Sequence, residues 1–154
     1  MLRIERVSFD YETDGTPVPV LADASLHVER GTVHALIGAS GCGKSTLLRL
    51  AAGLLRPTAG SVLMDGAPVD PGHRCIGFLP QNYGLLPWKT VRENILLGAE
   101  IKGRARESLA DALEELAAEL GLTDLLRRYP RELSGGQQQR VGLAREFLLA
   151  PDFL

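Results

Sequence analysis

The chain has 154 residues, of which 45% are hydrophobic and 23% charged, and its formal net charge is -2. This composition predicts one folded globular domain and excludes a disordered chain. The near-neutral charge predicts no broad basic face, so nucleic acid is not an expected partner. The two cysteines, Cys42 and Cys75, lack metal-ligand spacing and fit a reducing, cytosolic protein better than a disulfide scaffold.

Neither a secretion signal nor a membrane span is expected. The N-terminal stretch "MLRIERVSFDY" carries charge throughout and has no apolar signal region. The most apolar segment, "LLRLAAGLL" at 47–55, is much shorter than the roughly 18 to 20 apolar residues of a spanning helix. We therefore expect a soluble protein whose membrane role, if it has one, is peripheral.

The first half of the chain is predicted to be mainly β. Residues 2–11 and 18–31 have the composition of two strands, with the turn "ETDGTP" between them. Residues 32–38, "TVHALIG", form a short apolar run that is typical of a buried strand. The loop "ASGCGKS" follows this run. After the loop we expect a helix over 46–55, ended by Arg56-Pro57, and strands at 60–66 and 75–80.

From about residue 90 the pattern becomes helical. Thr90 and Glu93 form a T-x-x-E capping box that opens a helix over 91–100. An apolar stripe then predicts a long helix that ends at Gly121. A shorter helix is expected over 123–130, and a last one over 134–150, stopped by Pro151. The stripe consists of Leu109, Leu113, Leu116 and Leu120.

The loop at residues 38–45, "GASGCGKS", matches G-x-x-x-x-G-K-[ST] between a predicted strand and a predicted helix. Its glycines let successive backbone N–H groups point at phosphate oxygens, and the helix start adds donors and partial positive charge. Lys44 would place a cation on the β- and γ-phosphates, and Ser45 would offer a hydroxyl to Mg²⁺. A glycine-rich turn without a ligand is the alternative. The predicted phosphate-binding residues are Gly38, Ala39, Ser40, Gly41, Cys42, Gly43, Lys44, Ser45 and Thr46.

A second motif, "LSGGQQQR" at residues 133–140, has two interpretations. Ser134 and Gln137 form an S-x-x-Q capping box, which by itself needs no ligand. However, a plain cap does not require the adjacent glycines Gly135 and Gly136, each of which weakens a helix by about 1 kcal/mol. Two glycines and a serine hydroxyl at a helix N-terminus predict a second anion site. Two such sites in one chain suggest ATP held between two subunits.

With these motifs the chain resembles the ATP-binding subunits of ABC transporters. "GASGCGKST" resembles the Walker A motif, "LSGGQQQR" the signature motif, and "FLPQN" the Q-loop, which assigns its glutamine to Gln81. The resemblance covers the whole chain. It implies an α/β fold in which a P-loop NTPase core joins an N-terminal antiparallel β subdomain and a helical subdomain. The expected division is 1–84, 85–135 and 136–154, the last part holding the signature helix and the start of the Walker B strand.

The resemblance implies a role for each matching residue, with ATP and Mg²⁺ as cofactors. Lys44 and Gln81 would be catalytic, and Ser45 and Gln81 would contact the metal. An aromatic near the N-terminus would stack on adenine; Tyr11 fits best, with Phe9 as a competitor. The residues that would contact ATP bound to a second ATP-binding subunit are Ser134, Gly135, Gly136 and Gln137.

The segment "LLPWKTVREN" after the Q-loop holds the only tryptophan, Trp88, between Pro87 and a capped helix. A large aromatic there suggests a partner contact, and burial beneath its own helix is the alternative. The family resemblance implies that this region faces the transmembrane permease. "LLPW" is similar to importers of nitrate, sulfonate and taurine. The expected location is cytoplasmic, peripheral on the cytoplasmic face of the inner membrane.

The resemblance also implies a Walker B aspartate, a catalytic glutamate and a histidine after the signature helix. The sequence ends before the expected positions of all three, and no histidine stands in for the missing one, since His27, His34 and His73 all precede the signature motif. The sequence thus resembles a cassette cut within its Walker B strand. We expect the subunit to power an importer by ATP hydrolysis, with the 154-residue chain alone inactive. The alternatives are a catalytically dead nucleotide-binding fragment and a non-transport ABC-class ATPase that acts on DNA or ribosomes.

Overall fold

The computed structural model describes residues 1–72, 75–105 and 107–154, with only the backbone at Glu107, and His73 therefore lies outside the described residues. The chain divides into two compact units, Met1–Arg74 and Cys75–Leu154. The boundaries expected after residues 84 and 135 stay predictions. Among the described residues, no helix combines the length and the hydropathy needed to cross a bilayer.

The first unit contains an antiparallel sheet with the strand order β2-β1-β3-β4. In β1, Leu2 and Ile4 are buried, and so are Val7 and Phe9 after an irregularity at Glu5-Arg6 that shifts the register. The hairpin turn between β1 and β2 is Asp14-Gly15, both at positive φ (50° and 76°), as a type I′ turn demands. The predicted antiparallel β subdomain is confirmed. The strands are β1 (Leu2–Thr13), β2 (Thr16–Val28), β3 (Ala59–Met64) and β4 (Ala67–Pro68).

Helix α1 (Lys44–Ala51) begins where the phosphate loop ends. It is shorter than predicted, because the chain leaves the helix at Gly53, which has φ +71°. The Gly53 N–H donates to the Leu50 carbonyl at 3.0 Å, and the Leu54 N–H donates to the Arg49 carbonyl at 2.9 Å. This is a Schellman motif, so a glycine cap ends the helix before Pro57 is reached.

The prediction of a buried strand at residues 32–38 is wrong. The segment has no strand hydrogen bonding, and Val33 and Ile37 are 98% and 95% exposed. A strand forms only where neighbouring strands bond its N–H and C=O groups. Among the described residues, no strand lies beside this segment, so its apolar run alone does not make it a strand.

The second unit is helical, as predicted. Its main helices are α2 (Val91–Ile101), α3 (Ala110–Glu119) and α4 (Gly135–Phe147). Both predicted capping boxes are confirmed, at Thr90 and at Ser134. The three helices enclose one apolar core, to which α3 contributes part of the predicted leucine stripe. Fully buried members of this core are Val91, Ile95, Ala99, Leu113, Ala117, Leu122, Val141 and Ala144.

Two predicted elements of this unit are reduced. Residues 75–80 form only one parallel bridge, between Ile76 and Phe153, rather than a strand. The helix expected over 123–130 is a single 3-10 turn, Thr123–Leu125. The Leu126 and Arg128 carbonyls accept hydrogen bonds from the first N–H groups of α2, at 3.0 and 2.8 Å. This backbone therefore caps another helix and does not continue its own.

Candidate functional site

The phosphate loop of the first unit owes its shape to glycine. Gly41 and Gly43 have φ values of 81° and 92°, which residues with a side chain adopt only with strain. At Gly43 space is also short: a Cβ would lie 2.7 Å from Leu21 Cδ2, which would have to move, and 3.2 Å from the Val20 carbonyl oxygen. The loop conformation therefore requires glycine at Gly43 for two independent reasons.

Lys44 lies at the start of α1 with its ammonium group folded onto the loop. Its Nζ donates to the carbonyls of Gly38 and Ala39, at 2.8 and 2.6 Å, and lies 3.6 Å from Cys42 Sγ. The first turn of α1 contains no acidic residue, and no side chain caps it. Cationic charge and helix N–H donors thus meet at one place, with no carboxylate in that first turn, which is an arrangement that favours an anion such as phosphate.

Thr46 and Tyr11 connect the first turn of α1 to strand β1. Their hydroxyl groups share a hydrogen bond of 3.4 Å, and Arg49 donates to the Tyr11 oxygen at 3.3 Å. The bond from Thr46 and the bond and charge of Arg49 hold the pKa of Tyr11 below its ordinary value. Phe9 is buried and packs edge-to-face on Tyr11, at 4.9 Å between ring centres. Of the two competing aromatics, Tyr11 is thus the one whose side chain hydrogen-bonds to α1.

Gln81 lies in the second unit, on an exposed turn. The Tyr83 N–H donates to the Pro80 carbonyl at 2.8 Å and closes this turn. Tyr83 and Gly84 follow with φ values of 61° and 57°, so two successive residues adopt the left-handed conformation. A tyrosine in that conformation is uncommon and needs support from its surroundings.

Ser134 caps α4 as the sequence predicts. Its Oγ accepts from the Gln137 N–H at 3.3 Å, and its own N–H donates to Gln137 Oε1 at 2.8 Å. Gly135 and Gly136 are exposed, neither has positive φ, and a Cβ on either would meet no atom within 4 Å. The described part of this chain therefore gives no steric reason for either glycine. The capping box explains the serine and glutamine but not the glycine pair.

Trp88 is 71% exposed, so the predicted surface position is confirmed and burial beneath its helix is not observed. A tight turn presents it, in which the Lys89 N–H donates to the Leu86 carbonyl at 3.1 Å with Pro87 and Trp88 between them. Together with Tyr129 and Arg131, these two residues line a surface groove of about 400 Å³. The groove is open and partly aromatic.

Asn94 is the residue that holds this turn, and sequence reasoning missed it. It is fully buried on α2. Its Oδ1 accepts from the Leu86 N–H at 2.8 Å, and its Nδ2 donates to the Leu86, Lys89 and Thr90 carbonyls at 3.1, 3.0 and 2.9 Å. One signal was available: Asn94 lies at helical spacing between the apolar positions Val91 and Ile95, where a polar residue needs an internal partner.

The structure brings Tyr11 and residues 38–46 together in the first unit. In the second unit, Ser134 and the turn around Gln81 are associated with opposite ends of α4. The signature residues begin the helix, and Arg145, about 16 Å further along its axis, bonds the Tyr83 and Gly84 carbonyls. Within the described residues, no cluster of His, Cys, Asp or Glu could hold a metal ion.

Comparisons with known proteins agree with this arrangement. The family model described as "ABC transporter" matches residues 21–154. The methionine import ATP-binding protein MetN of Cereibacter sphaeroides is 45% identical over 148 residues, covering 91% of this chain and 42% of that protein. The sn-glycerol-3-phosphate import ATP-binding protein UgpC of Yersinia enterocolitica is 41% identical over 153 residues, covering 97% and 41%. The chain thus spans less than half the length of these two relatives.

Among solved structures, the dimeric bacterial ABC transporter cassette MJ0796 superposes with a TM-score of 0.86 at 30% identity. It matches 98% of this chain, which corresponds to 71% of the solved chain. This likeness confirms the predicted fold class, an α/β cassette with an antiparallel sheet and a helical part.

Proposed function

The chain belongs to the ABC transporter family, and from this premise we propose that it is part of a subunit that powers an importer by binding and hydrolysing ATP. The observation that carries the proposal is the phosphate loop, where Lys44 and the first turn of α1 offer cationic charge and N–H donors without an opposing carboxylate. ATP with Mg²⁺ fits this donor set. The signature helix in the same chain distinguishes an ABC cassette from a phosphate loop of another class.

Each residue of the loop has a proposed role. Residues 38–46 hold the triphosphate through backbone N–H groups, and Lys44 places its charge on the β- and γ-phosphates. Ser45 is exposed at the helix start and offers its hydroxyl to Mg²⁺, an ion that prefers oxygen ligands. Gln81 supplies a further oxygen to the metal and senses the γ-phosphate. Tyr11 stacks on the adenine.

The test of nucleotide binding is isothermal calorimetry with Mg-ATP on the Lys44→Ala variant. Losing a charge-assisted contact to phosphate weakens binding by about 2 to 3 kcal/mol. Lys102→Ala is the matched control, because Lys102 lies outside the phosphate loop and bonds Cys75 Sγ at 3.3 Å. Equal affinity of the Lys44→Ala variant and the unsubstituted protein would remove the basis of the proposal.

We propose that Ser134, Gly135, Gly136 and Gln137 contact ATP bound to a second ATP-binding subunit. The two glycines support this, because nothing in the described chain approaches them closely enough to exclude a Cβ. A methyl group at Gly136 would then obstruct the partner's nucleotide while favouring the helix. Gly136→Ala should therefore raise stability by up to about 1 kcal/mol and yet weaken ATP-dependent dimerisation. Sedimentation with and without ATP measures the second effect; an unimpaired dimer contradicts the proposal.

We propose that the groove beside Trp88 binds a transmembrane permease. We do not propose a nucleic acid partner. The exposed aromatic, the rigid Pro87 turn and the buried anchor Asn94 support a preorganised anchor for a partner. Trp88→Ala should reduce permease-coupled ATP turnover about tenfold or more, typical of losing an interface anchor, and leave Mg-ATP affinity unchanged. Site-specific crosslinking from position 88 tests the contact directly. Through such a permease the subunit would lie on the cytoplasmic face of the inner membrane.

For the cargo we propose a small anion such as nitrate, sulfonate or taurine, supported by the "LLPW" segment. Methionine is the competing cargo, because one relative is named a methionine import protein. Uptake of labelled taurine, nitrate and methionine would be compared in a strain lacking this gene and in strains complemented with the unsubstituted gene or with Lys44→Ala. Restored uptake of methionine alone would contradict an anion cargo.

A further inference from the structure

Helix α4 carries a polar pair that the proposed reaction does not use directly. Arg145 and Glu146, called here the α4 clamp, lie near the C-terminal end of the helix with side chains only 11% and 12% exposed. Arg145 Nε donates to Glu146 Oε1 at 3.1 Å. A buried ion pair is retained at a considerable desolvation penalty and needs further hydrogen bonds to both partners. Both partners obtain those bonds from the segment around Gln81.

The clamp holds the Gln81 turn from both sides. Before the turn, the Phe78 N–H donates to Glu146 Oε2 at 3.2 Å. After it, Arg145 donates from its two terminal nitrogens to the Gly84 and Tyr83 carbonyls, at 2.8 and 2.9 Å. These contacts join residues more than 60 positions apart in the chain. Bonds at both ends restrict the movement of the residues between them.

The backbone of the turn also lies directly against α4. Gly142 is one helical turn before the clamp, on the same face, and a Cβ there would lie 2.5 Å from Leu79 Cδ1 and 3.5 Å from the Tyr83 carbonyl oxygen. The helix therefore contacts the turn at Gly142 and hydrogen-bonds to it through Arg145 and Glu146, one turn later. This support also accounts for the left-handed conformation of Tyr83, which its own residue type disfavours.

We propose that Arg145 and Glu146 are positioning residues for Gln81: they hold the turn so that the exposed glutamine keeps the orientation that catalysis requires. This inference rests on the proposed function, in which Gln81 contacts the metal and the γ-phosphate. Because the same helix begins at the signature residue Ser134, α4 links the residue that contacts a partner's nucleotide to the turn that bears Gln81. In this linkage, the α4 clamp is the part that bonds the helix to the Gln81 turn.

The experiment compares Arg145→Met, Arg145→Lys and the double variant Arg145→Met/Glu146→Met in the full-length protein. The double variant leaves no unpaired buried charge, so it keeps the test valid if Arg145→Met fails to fold. Arg92→Met is the matched control, because Arg92 lies in the same unit and its guanidinium also makes two hydrogen bonds, both to Glu114 Oε1 at 3.1 and 2.7 Å and outside the turn. Hydrogen exchange, kcat for ATP and affinity for metal-free ATP are measured for each.

We expect about tenfold faster hydrogen exchange at residues 78–84 and about tenfold lower kcat in Arg145→Met and in the double variant. Arg145→Lys should show smaller changes in hydrogen exchange and in kcat than Arg145→Met, since lysine retains one donor group. Affinity for metal-free ATP should not change, and Arg92→Met should alter neither exchange in this segment nor kcat. Unchanged exchange at residues 78–84 would overturn the clamp.

A double-mutant cycle separates positioning from general stability. In a Gln81→Ala background, Arg145→Met should lower kcat no further, because the residue through which it acts is already absent. An equal loss in both backgrounds would show that Arg145 does not act through Gln81 and would overturn the inference. Hydrogen exchange needs no nucleotide, so it still supports or overturns the clamp if the unsubstituted protein proves unable to hydrolyse ATP, a result that refutes the proposed function alone.

Discussion

The phosphate loop and the Gln81 turn both present a polar side chain on an irregular segment, but they are built differently. In the phosphate loop, Lys44 bonds the carbonyl of Gly38, six residues away. The positive φ values of Gly41 and Gly43 set the backbone path between them. The Gln81 turn is held by Glu146 and Arg145, which are 61 to 68 residues from the groups they bond. A short motif therefore specifies the first, whereas helix packing creates the second.

The two regions also use charge differently. Lys44 points its ammonium group at loop carbonyls in an exposed loop, where an incoming anion can compete for it. Arg145 is almost buried, and each of its three side-chain nitrogens donates to the turn or to Glu146. A cation on an exposed loop is suited to binding a ligand, and a nearly buried cation that bonds through each of its nitrogens is suited to holding structure.

The largest expected effect comes from the second unit, where one side chain holds a whole turn. Asn94→Leu removes four hydrogen bonds and leaves the Leu86 N–H buried without its acceptor. We expect a loss of about 3 kcal/mol in the free energy of unfolding, measured by urea denaturation. Trp88, the only tryptophan, reports the freed turn through its fluorescence. Asn82→Leu, at an exposed position, is the control; similar losses in both variants would contradict a special role for Asn94.

A smaller effect is expected in the phosphate loop, where two glycines can be compared. Gly43→Ala introduces strain at φ +92° and a clash with Leu21 and Val20, whereas Gly41→Ala introduces strain alone, because its surroundings are open. We expect the free energy of unfolding to fall by about 2 to 3 kcal/mol in Gly43→Ala and by about 1 to 2 kcal/mol in Gly41→Ala. Thermal unfolding measures both. Equal destabilisation would mean that close packing on β2 contributes nothing to the loop.

The smallest effect concerns the titration of Tyr11. The hydrogen bonds from Thr46 and Arg49 favour its phenolate, so its pKa is lowered relative to the unfolded chain. A lowered pKa contributes stability above the unfolded pKa, and this contribution is lost as the pH falls through the folded pKa. Phenolate absorbance should show an early-titrating component. Tyr11→Phe should abolish this component, and Arg49→Met should raise its pKa. An early component that survives Tyr11→Phe would assign the shift elsewhere.

Local signals in the sequence predicted local structure well. The caps at Thr90 and Ser134 were visible because a capping box involves residues only three positions apart. The hairpin between β1 and β2 follows from Asp14-Gly15 in the same way. The wrong strand predictions concern elements that need distant partners: residues 32–38 and 75–80 have strand-like composition, but strands depend on neighbours that composition does not specify.

The sequence by itself determined the phosphate loop, the cap of the signature helix and the family to which both point, because each depends on the conformational limits of glycine and on hydrogen bonds within a few residues. Only the tertiary structure decided that Asn94 anchors the Trp88 turn and that Arg145 and Glu146 hold the turn of Gln81. Their role follows from helix packing, which brings side chains to backbone groups far away in the chain and satisfies buried charge there.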